Sequence, residues 1–209
     1  MLARYPQSLV LLVEDIVAAH DDASILSWME TRNRELQTHT DVPHALVYTS
    51  PKSSGTMAKP RFLSVFEVAD PEAALAFLAR PHAHDALRPL ASASYELLEG
   101  LPRASESKAS GGLLVGLTNC TDPEQRAGFN DWYDQVHAAD VIRSPWYWNA
   151  QRYRRLEGDL PEYAALYETS LGGKEAFGQY MRWPERNPQM HPCIANVHVW
   201  TFESTAAER

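Results

Sequence analysis

Residues 129–153, FNDWYDQVHAADVIRSPWYWNAQRY, decide how this chain is read. Phe129, Trp132, Tyr133, Val136 and His137 recur at i, i+3, i+4, i+7 and i+8. That spacing puts them on one face of a helix with 3.6 residues per turn. Four of the five are apolar or aromatic, and the fifth is an imidazole, which titrates near neutral pH. A titratable group on a face expected to be buried points to chemistry, so the functional centre is expected near His137. Pro145 ends the helical run, and 147–153 resume in extended form.

Working outward, 113–118 reads as a strand, and Asp122-Pro123-Glu124 opens the long helix with an acidic cap and an early proline. After a turn at Glu157-Gly158-Asp159 come a strand at 163–169, a helix at 173–181 and a closing strand at 194–202. On the other side, SESKASGG at 105–112 has the composition of a linker. Before it lie strands at 8–14, 44–50, 62–68 and 90–98. A helix at 21–36 starts from Asp21 or Asp22, and another runs from Asp70-Pro71-Glu72 to about 79. Residues 51–60, rich in Pro, Ser, Gly and Lys, form a loop.

Sliding the chain against itself by about 104 residues exposes a repeat. Leu9-Val10-Leu11 falls on Leu113-Leu114-Val115, Trp28 on Trp132, and Leu98-Glu99 on Phe202-Glu203. Each half reads β-α-β-β-α-β, the ferredoxin-like unit, with residues 1–104 as the first copy and 113–209 as the second. One such unit leaves a sheet face bare. Two tandem ferredoxin-like repeats are therefore expected to close an intramolecular α+β barrel around one small ligand. The halves are not equivalent: His137 falls on Asn33, Tyr133 on Met29 and Asp140 on Leu36. The second half is expected to carry the site and the first to serve as its structural partner.

A formal net charge of −8 without any basic stripe speaks against nucleic acid and anionic lipid as partners. No apolar run is long enough to span a membrane, and Glu14-Asp15 interrupt the run at 8–13, so no signal-peptide core is expected. With only Cys120 and Cys193, a reduced, cytoplasmic protein is the default.

Trp132-Tyr133-Asp134, His137, Asp140, Pro145 and Arg152-Tyr153 resemble the motif of the EthD-like group of dimeric α+β barrel proteins, over roughly residues 112–203. The resemblance implies a fused version of a fold normally built from two chains. Its relatives include muconolactone isomerases, polyketide cyclases, quinone-forming monooxygenases and haem-binding enzymes, so fold alone leaves the reaction open.

His137 is the candidate general acid or base, with Asp134 or Asp140 able to fix its tautomer. Tyr133 or Tyr153 can stabilise an enolate or oxyanion. Trp132 is a candidate substrate contact, as are Asn196, His198 and Trp200, which alternate with Val197 and Val199 so that the valines meet the helices. His191 can close over a mouth. His82 and His84 form an H-x-H pair with no third ligand at a familiar spacing, and no nucleotide, flavin or zinc signature is present. The sequence therefore predicts cofactor-independent isomerisation, cyclisation or elimination on a small hydrophobic, aromatic or polyketide-like substrate, in a chain that can pair as a homodimer. The alternatives are a monooxygenase, either cofactorless or haem-dependent through His137, and a non-catalytic binder of apolar ligands.

Overall fold

The computed structural model describes residues 6–17, 21–50, 56–80, 84–101 and 108–205, without the side chains of Asn196 and Val197. They form two compact units. One holds the chain up to Leu97, with Arg155–Leu160 and the chain from Thr205; the other holds Leu98–Arg154 and Pro161–Ser204.

In the first unit β1 (Ser8–Ile16), α1 (Asp22–His39), β2 (His44–Thr49), β3 (Phe62–Glu67), α2 (Pro71–Leu78) and β4 (Leu87–Leu98) follow in order. The strands pair antiparallel as β2-β3-β1-β4, with Leu11 opposite both Val65 and Ala93. Central β1 keeps Leu9–Val13 buried, as its unbroken apolar run requires. Both helices start where their acids predict. Asp21 accepts from the Ser24 N–H at 3.1 Å and Asp70 from the Ala73 N–H at 3.0 Å, with Pro71 in the first turn. Strand β4 begins three residues before the expected 90. Pro89 lacks an N–H, and the register shift between Val13 and Glu14 falls opposite it, so pairing continues past the proline.

Residues 155–160 complete this unit. The Asp159 N–H donates to the Ser92 carbonyl at 2.9 Å. Gly158 has φ +109, and a Cβ there would lie 2.3 Å from that carbonyl oxygen, so both conformation and space demand glycine.

In the second unit β5 (Gly112–Cys120) leads through a 3-10 turn, Pro123–Gln125, into α3 (Arg126–Trp132), a π-helical turn (Tyr133–Ala138) and α4 (Ala139–Arg143). Then come β6 (Asn149–Gly158), β7 (Tyr163–Thr169), α5 (Gly173–Arg182) and β8 (Ile194–Ser204). The order β6-β7-β5-β8 is again antiparallel, and it repeats the order of the first unit position for position. The linker expected at 105–112 is described only from 108, and Gly112 already belongs to β5. Strand β6 starts at Asn149 rather than 147, which leaves Tyr147 and Trp148 in the turn before it.

Strand parity gives the second sheet two distinct faces. Leu114, Ala150, Tyr163, Ala165 and Tyr167 pack with Phe129, Tyr133, Ala138 and Val141, and with Ala176 and Tyr180 of α5. The opposite face carries Leu113, Val115, Leu117, Gln151, Tyr153, Leu166 and Phe202, all buried.

Candidate functional site

His137 lies inside the π-helical turn, and this changes what it touches. In an α-helix, residues five apart point about 140° away from each other, at 3.6 residues per turn. A π turn, with i→i+5 bonding, brings such residues together. The His137 ring accordingly stacks on Trp132, five residues earlier, at 5.3 Å between centroids and 22° between planes. Tyr133 meets the same imidazole edge-on at 4.9 Å. Burial pushes the His137 pKa down to about 4; Asp140 partly opposes this, and Arg152 and Arg186 add to it. The imidazole is therefore neutral at pH 7 and able to accept a proton.

Tyr133 is pressed between the helix layer and the sheet. The Arg152 guanidinium lies over its ring at 4.1 Å. Its hydroxyl is 3.4 Å from that of Tyr167, a long contact, and 3.3 Å from where a Cβ on Gly116 would stand. Burial raises the pKa of both phenols. Arg152, 1% exposed, donates to Asp134 at 2.5 Å and to the Asn130 side-chain oxygen at 2.9 Å. The sequence flagged Arg152 only as a letter in a motif; the structure makes it the charged centre beneath the aromatic cluster.

Neither carboxylate expected to orient His137 does so. Asp134 is taken by Arg152. Asp140 accepts from the Tyr180 hydroxyl at 2.9 Å, the Asn187 N–H at 3.0 Å and Arg143 at 2.7 Å. It thus ties α4 to α5 and to the segment after it. Among the described residues, no hydrogen bond is made to either ring nitrogen of His137.

The remaining candidates separate by strand parity. Tyr153 lies one residue from Arg152 and so points to the opposite face, where its hydroxyl donates to Gln151. His198 and Trp200 stand opposite Leu117 and Val115 and belong to that second face as well. Their rings stack at 5.7 Å, and Trp200 is buried. The expectation of one chamber shared by His137, Tyr153, His198 and Trp200 is corrected here, because the sheet of the second unit stands between the two sets. Val199, opposite Gly116, stands on the helix-layer side of the sheet, and His137 sits in that same layer. The Asn196 side chain lies outside the described residues.

His191 joins the cluster instead of standing off at a mouth. Its ring lies 5.7 Å from Trp132 and 5.8 Å from Phe129, and its Nδ1 is 3.1 Å from the Cys193 sulfur. Cys193 is buried; burial pushes its thiol up to about 12, with Cys120 adding to the effect. His82 is outside the described residues, and His84 packs against Trp28 at 5.4 Å. Among the described residues, no three His, Cys, Asp or Glu side chains are grouped to hold a metal, and no helix is long and apolar enough to cross a membrane.

By sequence the chain matches no protein-family model and no curated protein. By structure it shares the fold of α+β barrel proteins of the monooxygenase and chlorite dismutase kind, mixed α/β with eight antiparallel strands. An anthrone oxidase-like protein aligns over 98% of this chain and 94% of its own, with a TM-score of 0.65 and 11% identity. A chlorite dismutase variant from Candidatus Nitrospira defluvii aligns over 96% and 92%, with a TM-score of 0.60 and 10% identity. A protein from Fusobacterium nucleatum, provisionally assigned as a monooxygenase, aligns over 96% and 93%, with a TM-score of 0.58 and 10% identity. Identities this low establish the fold alone. These neighbours nevertheless correct the leading sequence expectation: they are named for oxidative chemistry, not for isomerisation, cyclisation or elimination.

Proposed function

We propose that this chain is an oxygenase that works without a cofactor, using molecular oxygen to oxidise a small aromatic substrate at an acidic C–H beside a carbonyl. The observation that carries this reading is His137: a neutral imidazole, walled by Trp132 and Tyr133, with neither neighbouring carboxylate attached to it. Imidazole takes a proton from an anthrone-type methylene. The resulting carbanion is delocalised into the phenolate, gives one electron to oxygen, and the radical pair recombines as a hydroperoxide. Loss of water then leaves the new carbonyl. In sum, one methylene and one molecule of oxygen give one carbonyl and one water, with oxygen the only oxidant. Tyr133 and Trp132 flank the substrate, and the imidazolium formed, disfavoured by burial, is offset by the adjacent substrate anion.

A haem held by His137 is the other oxidative reading, and the residues present do not fit it. An imidazole that ligates a metal ordinarily donates its second N–H to a carboxylate, carbonyl or water. Asp134 and Asp140 are both engaged elsewhere, and Trp132 stacks on the ring. The wider reading places this site in the second of two tandem ferredoxin-like repeats, 1–104 and 113–209 joined by 105–112, as a fused EthD-like protein of the cytoplasm that can pair as a homodimer. The repeated strand order supports the tandem repeat in this reading, and the Trp-Tyr-His spacing supports its EthD-like part.

The test is oxygen uptake by purified protein supplied with anthrone. One oxygen consumed per anthraquinone formed, and a fall of about 100-fold or more in kcat for His137→Gln, is the expected result. Unchanged turnover in that variant, or a Soret band on adding hemin that is lost with His137→Gln, refutes the proposal.

A further inference from the structure

We infer that Tyr147 anchors the substrate by donating its phenolic hydrogen to an oxygen on the aromatic ring system, so that the site selects oxygenated aromatics over hydrocarbons. The inference rests on the reading of the His137 site as one that binds an aromatic molecule. Tyr147 lies in the turn between α4 and β6, where the Ser144 hydroxyl closes the helix end by donating to the Val141 carbonyl at 2.6 Å. Its side chain is 3% exposed, in the same packed cluster as Phe129 and Tyr133. Its ring meets Tyr167 at 6.1 Å and Tyr180 at 6.2 Å, both edge-on. Tyr167 in turn reaches the Tyr133 hydroxyl, and Tyr133 touches His137, so one row of rings joins Tyr147 to the base.

In that row the other hydroxyls are engaged. Tyr180 donates to Asp140, and Tyr167 to Tyr133. The Tyr147 hydroxyl is buried and has no hydrogen-bond partner among the described residues. A buried donor left without an acceptor is costly, and folded proteins rarely leave one without a reason. Burial also raises its pKa, with Tyr180 adding to the effect, so the group stays protonated and keeps its hydrogen to give. An acceptor on the ligand removes the cost; a bare hydrocarbon leaves it in place. The carbonyl oxygen of an anthrone-type molecule is an acceptor of this kind.

Quenching of tryptophan fluorescence in the full chain, titrated with anthraquinone and with anthracene, tests this. Tyr147→Phe is expected to weaken anthraquinone binding about 10-fold while anthracene stays within twofold. It should also leave the thermal midpoint equal to or above that of the wild type, because an unpartnered hydroxyl has been removed. With anthrone as substrate, KM should rise by about the same factor and kcat change little. Equal losses for both ligands, no loss for anthraquinone, or a midpoint several degrees lower would each overturn the assignment, the last by showing that the hydroxyl has a structural partner. If the wild type binds neither molecule, the aromatic site itself fails and the anchor fails with it. Binding of both molecules without oxygen uptake leaves the anchor standing and removes only the oxygenase reading.

Discussion

Removing Asp134 is expected to destabilise the protein far more than removing the arginine it faces. Arg152 is 1% exposed and its partner's side chain 17% exposed, so the two ends of the pair differ in their access to water. Asp134→Ala leaves a guanidinium sealed beneath Tyr133, Phe129 and Tyr163, with the Asn130 side-chain oxygen as its remaining close acceptor. Stranding a buried charge in this way costs about 3–5 kcal/mol. Arg152→Met removes the charge and keeps most of the apolar stem, and the freed carboxylate can turn towards water. That change should cost about 1–2 kcal/mol, from lost packing and the lost cation–π contact. The double variant should therefore be more stable than Asp134→Ala alone, an inversion that only burial of the positive end produces. In urea, at a slope of about 2–3 kcal/mol per molar, Asp134→Ala lowers the midpoint by about 1–2 M, and adding Arg152→Met recovers roughly half of that. Equal midpoints for the two single variants, or a double variant weaker than both, would refute the argument.

Other outcomes follow from single features. The His137 pKa is lower in the folded than in the unfolded chain, so its stabilising contribution is full above about pH 6.5 and lost as pH falls towards 4. Between these limits, stability should fall by up to about 1.4 kcal/mol per pH unit, and His137→Phe should remove that part of the slope in urea titrations at pH 4.5–6.5. The acid limb of kcat/KM should likewise lie near pH 4 rather than 6.5, as read from initial rates across that range. Gly158→Ala, at φ +109 against the Ser92 carbonyl, should cost at least about 1–3 kcal/mol in thermal or urea unfolding.

Most of the fold was legible because the signals were local. Asp21 and Asp70 capped the helices they precede, and the strand at 163–169 has the bounds its apolar pattern gave. The site was legible only in part, for two physical reasons. Tyr133 and His137 are four apart, a spacing that suits an α-helix; nothing in the letters announces the π turn that swings Trp132 onto His137. Nor does spacing say which acid a buried arginine will claim, and Arg152 claimed Asp134, one of the two expected to serve the imidazole. The face of Tyr153 was a different matter. Strand period alone sets it against Arg152, and assigning the valines of β8 to the helix layer already excluded His198 and Trp200 from the side where His137 lies.

This partition bears on the choice of chemistry. The acid–base scheme read from the sequence asked for a base, a carboxylate to hold it, and a tyrosine to stabilise the oxyanion. On the His137 side, Asp134 neutralises an arginine and Asp140 braces two helices; Tyr153 is behind the sheet, while Tyr133 stays beside the imidazole. What is left is His137 against aromatic walls, with His191 also beside Trp132 and the buried Tyr147 hydroxyl without an acceptor among the described residues. Oxidation by molecular oxygen asks little more of a protein than this. Once an acidic C–H is deprotonated and its charge spread through an aromatic system, electron transfer to oxygen needs no acid in place. The demanding step in the oxidative reading is the making of the anion: burial weakens His137 as a base, so the imidazolium it forms must be held by the adjacent substrate anion.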